Sequence, residues 1–292
     1  MWLLALLALV DSSQAFPVVL PAAESLQVTV AGPEAGAPVV LIPGFFGSAF
    51  AYRNVVPRLA EAGYRAIVIE PLGVGGSGRP EHADYSLTAQ ADRLAATLDR
   101  LGVTGVLVVA HSTSASMAYR LAYRRPDLVR GILSIEGGPA ESAATAGLRR
   151  AMGLAPWIKL FGGVRLIRTR IRHNLAAVSG DPSWVSDSVV DGYTVGAARD
   201  LDGTLKAFIA MAHARERERL RPHLHEITCP VLLLLGGAPH DGGPQPAEVT
   251  ELAESLPRFT VDTVSGVGAF VHEERPAAVV AAVARLAAPA LP

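Results

Sequence analysis

The segment that most constrains this chain is Val106-Leu107-Val108-Val109-Ala110-His111-Ser112-Thr113-Ser114, where an apolar strand runs into a helix with almost nothing between them. A continuous apolar run bounded this tightly suits a strand buried on both faces of a parallel sheet. Ser112 falls on the turn itself. So sharp a turn needs small residues two positions to either side, because bulky side chains there would collide with strand and helix, and Ala110 and Ser114 are both small. The turn presents the Ser112 hydroxyl above the sheet and points the N-terminus of the following helix at it, which favours developing negative charge. A serine placed this way is a candidate nucleophile.

The rest of the chain alternates strand and helix in the same manner. Val39-Val40-Leu41-Ile42 reads as a strand and 54–62 as the helix after it. A strand over 66–69 precedes a helix over 87–101, with Ser86 as N-cap and Gly102 as its terminating glycine. Strand 105–110, helix 114–124 and strand 131–135 follow. Residues 139–228 then show helical periodicity but no convincing strand. The alternation resumes with strand 231–235, helix 247–255, strand 259–264 and helix 276–287. This pattern predicts a parallel sheet covered on both faces. Two charged stretches in the helical region, Arg165 to His173 and Arg215-Glu216-Arg217-Glu218-Arg219, read as solvated helix faces.

Composition narrows the class. Of 292 residues, 50% are hydrophobic and 18% charged, which suits a folded globular chain. The formal net charge of −1 gives no general attraction for nucleic acid or an anionic membrane. The one cysteine, Cys229, excludes an internal disulfide and reads as a half-buried thiol at a strand start. Trp2 to Val10 is apolar, and Ser13-Gln14-Ala15 resembles a signal-peptidase site, yet no Lys or Arg precedes Arg53 and the run is too short to span a bilayer. Residues 1–25 are therefore set apart as an apolar N-terminal segment, either a cleaved signal or a retained helix. A cytoplasmic and a secreted location both stay open, and no stable membrane anchor is expected.

With these motifs in place, residues 26–287 resemble the α/β-hydrolase superfamily, in particular its capped esterase, haloperoxidase and haloalkane dehalogenase-like branch. The resemblance implies a mostly parallel eight-stranded sheet with helices on both faces and a helical cap inserted after strand 6. Residues 26–138 and 229–292 would form the core, and 139–228 the cap. Ile42-Pro43-Gly44-Phe45-Phe46-Gly47-Ser48 resembles the family's His-Gly loop, with Pro43 in the histidine place. Carried over, the backbone N–H groups of Phe45 and Thr113 would form the oxyanion hole. Glu70-Pro71-Leu72-Gly73-Val74-Gly75-Gly76-Ser77-Gly78 contains a literal Gly-x-Gly-x-x-Gly, but Arg79-Pro80 follows instead of a helix start. It resembles the family's Asp-x-x-Gly-x-Gly-x-Ser loop instead.

Relatives that open epoxides or carbon–halogen bonds attack with an aspartate, so Ser112 implies acyl transfer through an acyl-serine. Two residues compete as the orienting acid: Asp241, beyond the seventh strand, and Glu136, just after strand 131–135. The segment Val264 to Pro276 resembles the family's Gly-x-Gly-His-Phe-x-x-x-Glu-x-Pro motif, with Ala269 where the catalytic histidine belongs. Ala269 is either a natural departure or a replaced histidine. His272 and His111 read as structural, and His240 is the remaining substitute. Phe46, Trp157, Phe161 and Trp184 are candidates to line an apolar substrate pocket.

The expectation is thus a serine hydrolase for a small hydrophobic ester, inactive or impaired by Ala269, with no metal and no cofactor. The competing expectation is a ligand-binding receptor or carrier, or a lyase or cyclase, on the same fold. Oligomeric state is left open.

Overall fold

In the computed structural model, which describes residues 13–144, 149 and 163–288, eight strands form one sheet in the order β1-β2-β4-β3-β5-β6-β7-β8. They are β1 Gln14–Val19, β2 Ser25–Ala31, β3 Ala37–Ile42, β4 Tyr64–Ile69, β5 Val106–His111, β6 Val129–Ile135, β7 Val231–Gly236 and β8 Phe259–Val264. Strands β3 to β8 pair in parallel, whereas β2 is antiparallel to both β1 and β4. The sheet begins at Gln14, ahead of the boundary expected at residue 26. Gln14 to Val19 pair with Val30 to Ser25, so this part of the N-terminal segment belongs to the core.

The apolar runs are explained by burial on both faces. In β3, Val40 and Ile42 join one core while Val39 and Leu41 join the other. In β5, Val106, Val108 and Ala110 face the first layer, and Leu107 and Val109 the second. The first face is covered by α2 Leu87–Leu101 and α3 Ser114–Arg124. The second is covered by α1 Val56–Glu61 and, near the C-terminus, α9 Pro276–Ala287. Ser86 caps α2 by accepting the Ala89 N–H at 3.2 Å, and Gly102 ends it in the left-handed conformation at φ 63°.

Between β6 and β7 lie α4 Gly163–Ala177, α5 Asp187–Arg199 and α6 Leu201–His213, with no strand among the described residues. Their apolar faces pack as Ile171, Leu175, Val189 and Tyr193, against Phe50 and Phe270 of the core. On α4, Arg168 and Arg172 form ion pairs with Asp191 and Asp187 of α5. Glu216 departs from its expected surface role. It is buried beside Arg120 at 3.5 Å and accepts the Leu87 and Thr88 N–H groups at the start of α2, at 2.6 and 3.1 Å. A helix start with unpaired N–H groups and a buried arginine draws in a carboxylate that charge alternation alone assigns to solvent. Helices α7 Pro246–Ser255 and the short α8 Val271–Glu274 complete the core.

Candidate active site at the strand-helix elbow

Ser112 sits where β5 ends and α3 begins, with φ at +55°. That left-handed conformation costs a non-glycine residue roughly 1–3 kcal/mol, and here the chain on both sides holds it. Its N–H donates to Ile135 O on β6 at 2.8 Å, and its carbonyl accepts the Ala115 N–H at 2.9 Å. The turn has no spare volume. A Cβ on Gly137 would lie 2.3 Å from Ser112 O and 2.5 Å from Ala115 Cβ, so the residue after Glu136 must be glycine. Ser114 is buried and donates its hydroxyl to Pro43 O at 2.7 Å, which ties the elbow to the loop after β3.

That loop carries Phe45. Gly44 faces the elbow closely, since a Cβ there would lie 3.3 Å from His111 Nδ1. Among the described residues, the N–H groups of Phe45 and Thr113 donate to no other group. The loop's far end is held by Glu70, which accepts the Ala49 N–H at 2.6 Å and the Gly76 N–H at 2.5 Å. A Cβ on Gly75 would lie 2.2 Å from the same carboxylate. The glycine-rich segment therefore wraps its own acid and leaves no cradle for a phosphate. Burial raises the Glu70 pKa, against the lowering effect of these two N–H donors.

Glu136 follows β6 directly, buried and also left-handed at φ +51°. Its Oε1 accepts the Gly236 N–H at 2.5 Å and its Oε2 lies 3.1 Å from His240 Nε2. Gly236 touches the loop after β8, because a Cβ on it would lie 2.2 Å from Gly268 O. Glu136 thus bonds the last residue of β7, which itself packs against Gly268, the residue before Ala269. Asp241 is exposed and makes no hydrogen bond or ion pair with a described residue, so of the two competing acids only Glu136 is brought to the elbow.

Ala269 is pinned by its backbone on both sides. Its N–H donates to Val178 O at 2.8 Å, and its carbonyl lies 3.1 Å from His111 Nε2. Glu274 braces the same loop by accepting N–H groups from Gly268, Gly180 and Asp181, at 3.0, 3.2 and 2.8 Å. His111 is buried and faces this loop from the far side of the elbow. Its ring lies 5.2 Å from Phe270 and 4.5 Å from His272. Burial pushes the His111 pKa down to about 4, with the Ala269 carbonyl opposing, and pushes His272 well below the ordinary histidine range. Both are neutral core histidines. His240 uses its two ring nitrogens on Glu136 Oε2 and Ala238 O. The Ser112 hydroxyl bonds to no described group.

Of the residues expected to line a pocket, Phe46 is half-exposed and packs edge to face on Phe208 of α6. Together with Phe45, Ala143, Ala144, Met211 and Ala212 these rings line a small apolar cleft next to the loop after β3. Trp184 is not part of it; it packs on Phe270 and donates Nε1–H to Ser179 Oγ at 3.1 Å. Trp157 and Phe161 lie outside the described residues. The sequence reading missed Phe208 and Met211, which carry no motif. The 3.6-residue periodicity of α6 was the only available signal.

An elbow of this kind, between parallel strands and beside a buried carboxylate, defines a class that the comparisons identify. A profile described as the alpha/beta hydrolase family matches residues 39–283, and the chain belongs to that family. It is 31% identical over 101 residues to bifunctional epoxide hydrolase 2 of Mus musculus, covering 34% of this chain and 18% of that protein. It is 33% identical over 117 residues to a haloalkane dehalogenase of Mesorhizobium japonicum, covering 40% of this chain and 37% of the other. Both matches thus span less than two thirds of these relatives' lengths. Among solved structures, Cfl2 from Burkholderia cenocepacia superposes with a TM-score of 0.79 at 23% identity, covering 94% of this chain and 96% of that one.

Proposed function

We propose that the chain is a serine hydrolase of carboxylic esters that acts through an acyl-serine on Ser112, with turnover limited by Ala269. The observation that carries this reading is the left-handed Ser112 at the elbow, flanked by two N–H groups, Phe45 and Thr113, that bond to nothing else described. In this reading Ser112 Oγ adds to the ester carbonyl, and the oxyanion accepts from the free N–H groups of Phe45, in the loop after β3, and Thr113, at the start of α3. The carbon–oxygen bond to the alcohol breaks, the alcohol leaves with a proton, and water then releases the acid from Ser112. The epoxide hydrolase and dehalogenase named above do not supply the substrate here. Opening those substrates by direct displacement calls for a nucleophile already charged, and Ser112 is a neutral alcohol.

The missing part is the proton acceptor. Ala269 has none, His111 is neutral and turned to the loop carbonyl, and His240 is fully engaged elsewhere. Glu136, bonded to the β7 residue that packs against Gly268, is the acid in this reading. The apolar lining of the cleft beside Phe45 favours a small hydrophobic acyl or alcohol group.

The test is covalent capture. Intact-protein mass spectrometry after incubation with an alkyl fluorophosphonate should show a single adduct on Ser112, slow to form and absent in Ser112→Ala. An adduct that persists in Ser112→Ala, or none after prolonged exposure, would overturn the assignment.

A further inference from the structure

His240 makes a contact to Glu136 that the hydrolytic reading leaves unused. Their side chains are 8% and 3% exposed, so the pair is shielded from water. The Ala238 carbonyl can only accept a hydrogen bond, which places a proton on His240 Nδ1, 2.8 Å away. On the other side Nε2 faces a carboxylate oxygen at 3.1 Å whose partner oxygen already accepts the Gly236 N–H. One hydrogen bond joins Nε2 to Glu136 Oε2, so both ring nitrogens are engaged. The loop that holds His240 is itself fastened to the loop after β8, by Gly237 N–H to Val264 O at 2.8 Å and Ala238 N–H to Val267 O at 2.9 Å. Gly243 closes over the pair, since a Cβ on it would lie 2.3 Å from Glu136 Oε2.

We propose that His240 is a positioning residue for Glu136: with its two ring nitrogens it spans Glu136 Oε2 and the Ala238 carbonyl, holds the buried carboxyl group in place against Gly236, and keeps no nitrogen free to act as a base. The inference rests on reading Glu136 as the orienting acid. Burial disfavours the charged ring, but the Ala238 carbonyl, Glu136 and the more distant Glu274 of α8 outweigh it and raise the His240 pKa.

Two measurements test this on the full chain. In long-range proton–nitrogen NMR, His240 should titrate at a higher pH than a free histidine, and Glu136→Gln should lower its midpoint. A midpoint at or below that of free histidine, or one unmoved by Glu136→Gln, would overturn the pairing whatever the protein catalyses. The second measurement uses Ala269→His as background. There His240→Ala should lower kcat on the order of 10–100-fold with KM little changed, and His240→Gln, which keeps one donor, should recover part of the loss. A kcat unaffected by His240→Ala, or a loss confined to melting temperature, would show that the residue is only packing. Should Ala269→His itself be inert, the hydrolytic reading fails while the NMR titration still decides the pairing.

Discussion

His111 Nε2 lies 3.1 Å from the carbonyl oxygen of Ala269. Because a carbonyl only accepts, His111 is the Nε2–H tautomer, and the residue before the elbow serine holds the residue at the tip of the loop after β8. The contact is to backbone, so position 269 stays against His111, the neighbour of Ser112, whatever side chain it carries. That follows equally from the Val178 and Glu274 contacts, which also involve only the loop's N–H groups.

Strain at the elbow is measurable apart from chemistry. Ser112→Ala should leave urea-unfolding stability nearly unchanged, since alanine occupies the same left-handed conformation, while abolishing covalent capture. Ser112→Gly should raise stability by about 1 kcal/mol, because relief of the left-handed backbone exceeds the added freedom of the unfolded chain. A Gly variant less stable than Ala would mean that the Ser112 backbone is unstrained.

The acid can be assigned by paired substitution. In an Ala269→His background, Glu136→Gln should lower kcat on the order of 10⁴-fold, as loss of an orienting carboxylate does in serine proteases. Asp241→Asn should cost less than threefold by the same assay, because Asp241 is exposed and touches no site residue. Reversed effects would move the acid to the loop after β7.

Much of the fold was legible because doubly buried strands must be apolar throughout. The helices over 87–101 and 114–124 and the strand over 259–264 match the observed α2, α3 and β8. β1 and β2 were not found, since their alternating pattern is diluted: in β2 only Leu26 and Val28 are buried. The strand-helix turn at Ser112 was legible from the small residues around it. The placement of Glu136 against the end of β7, with Asp241 left exposed, was not, because it turns on a distance that spacing does not encode. Glu216 misled for the same reason, its partner Arg120 lying far away in sequence.

Acid sensitivity should trace to the two buried histidines. Each has a pKa lowered in the fold, so each contributes stability above the ordinary value near 6.5 that is lost as pH falls. For His111, pushed to about 4, the loss between pH 6.5 and 4 amounts to roughly 3 kcal/mol, at 1.36 kcal/mol per pH unit. His272→Phe removes one ionisable group and an unpaired Nδ1, and should flatten the fall in melting temperature over that range. An unchanged slope would show that other groups govern the acid limb.

In the proposed function Ser112 is a nucleophile waiting on a base at position 269. The most direct measurement is kcat/KM of Ala269→His on a short-chain aryl ester, with circular dichroism to confirm the fold. An imidazole there would sit on the loop held by His111, the neighbour of Ser112, and next to the Gly268 that packs on Gly236, and a histidine's ordinary pKa suits general-base work near neutral pH. The expected result is a rise of at least a thousandfold over the parent chain, abolished by adding Ser112→Ala. Activity no higher than the parent's in a folded Ala269→His protein would contradict the account and favour a fold that binds its ligand without hydrolysing it.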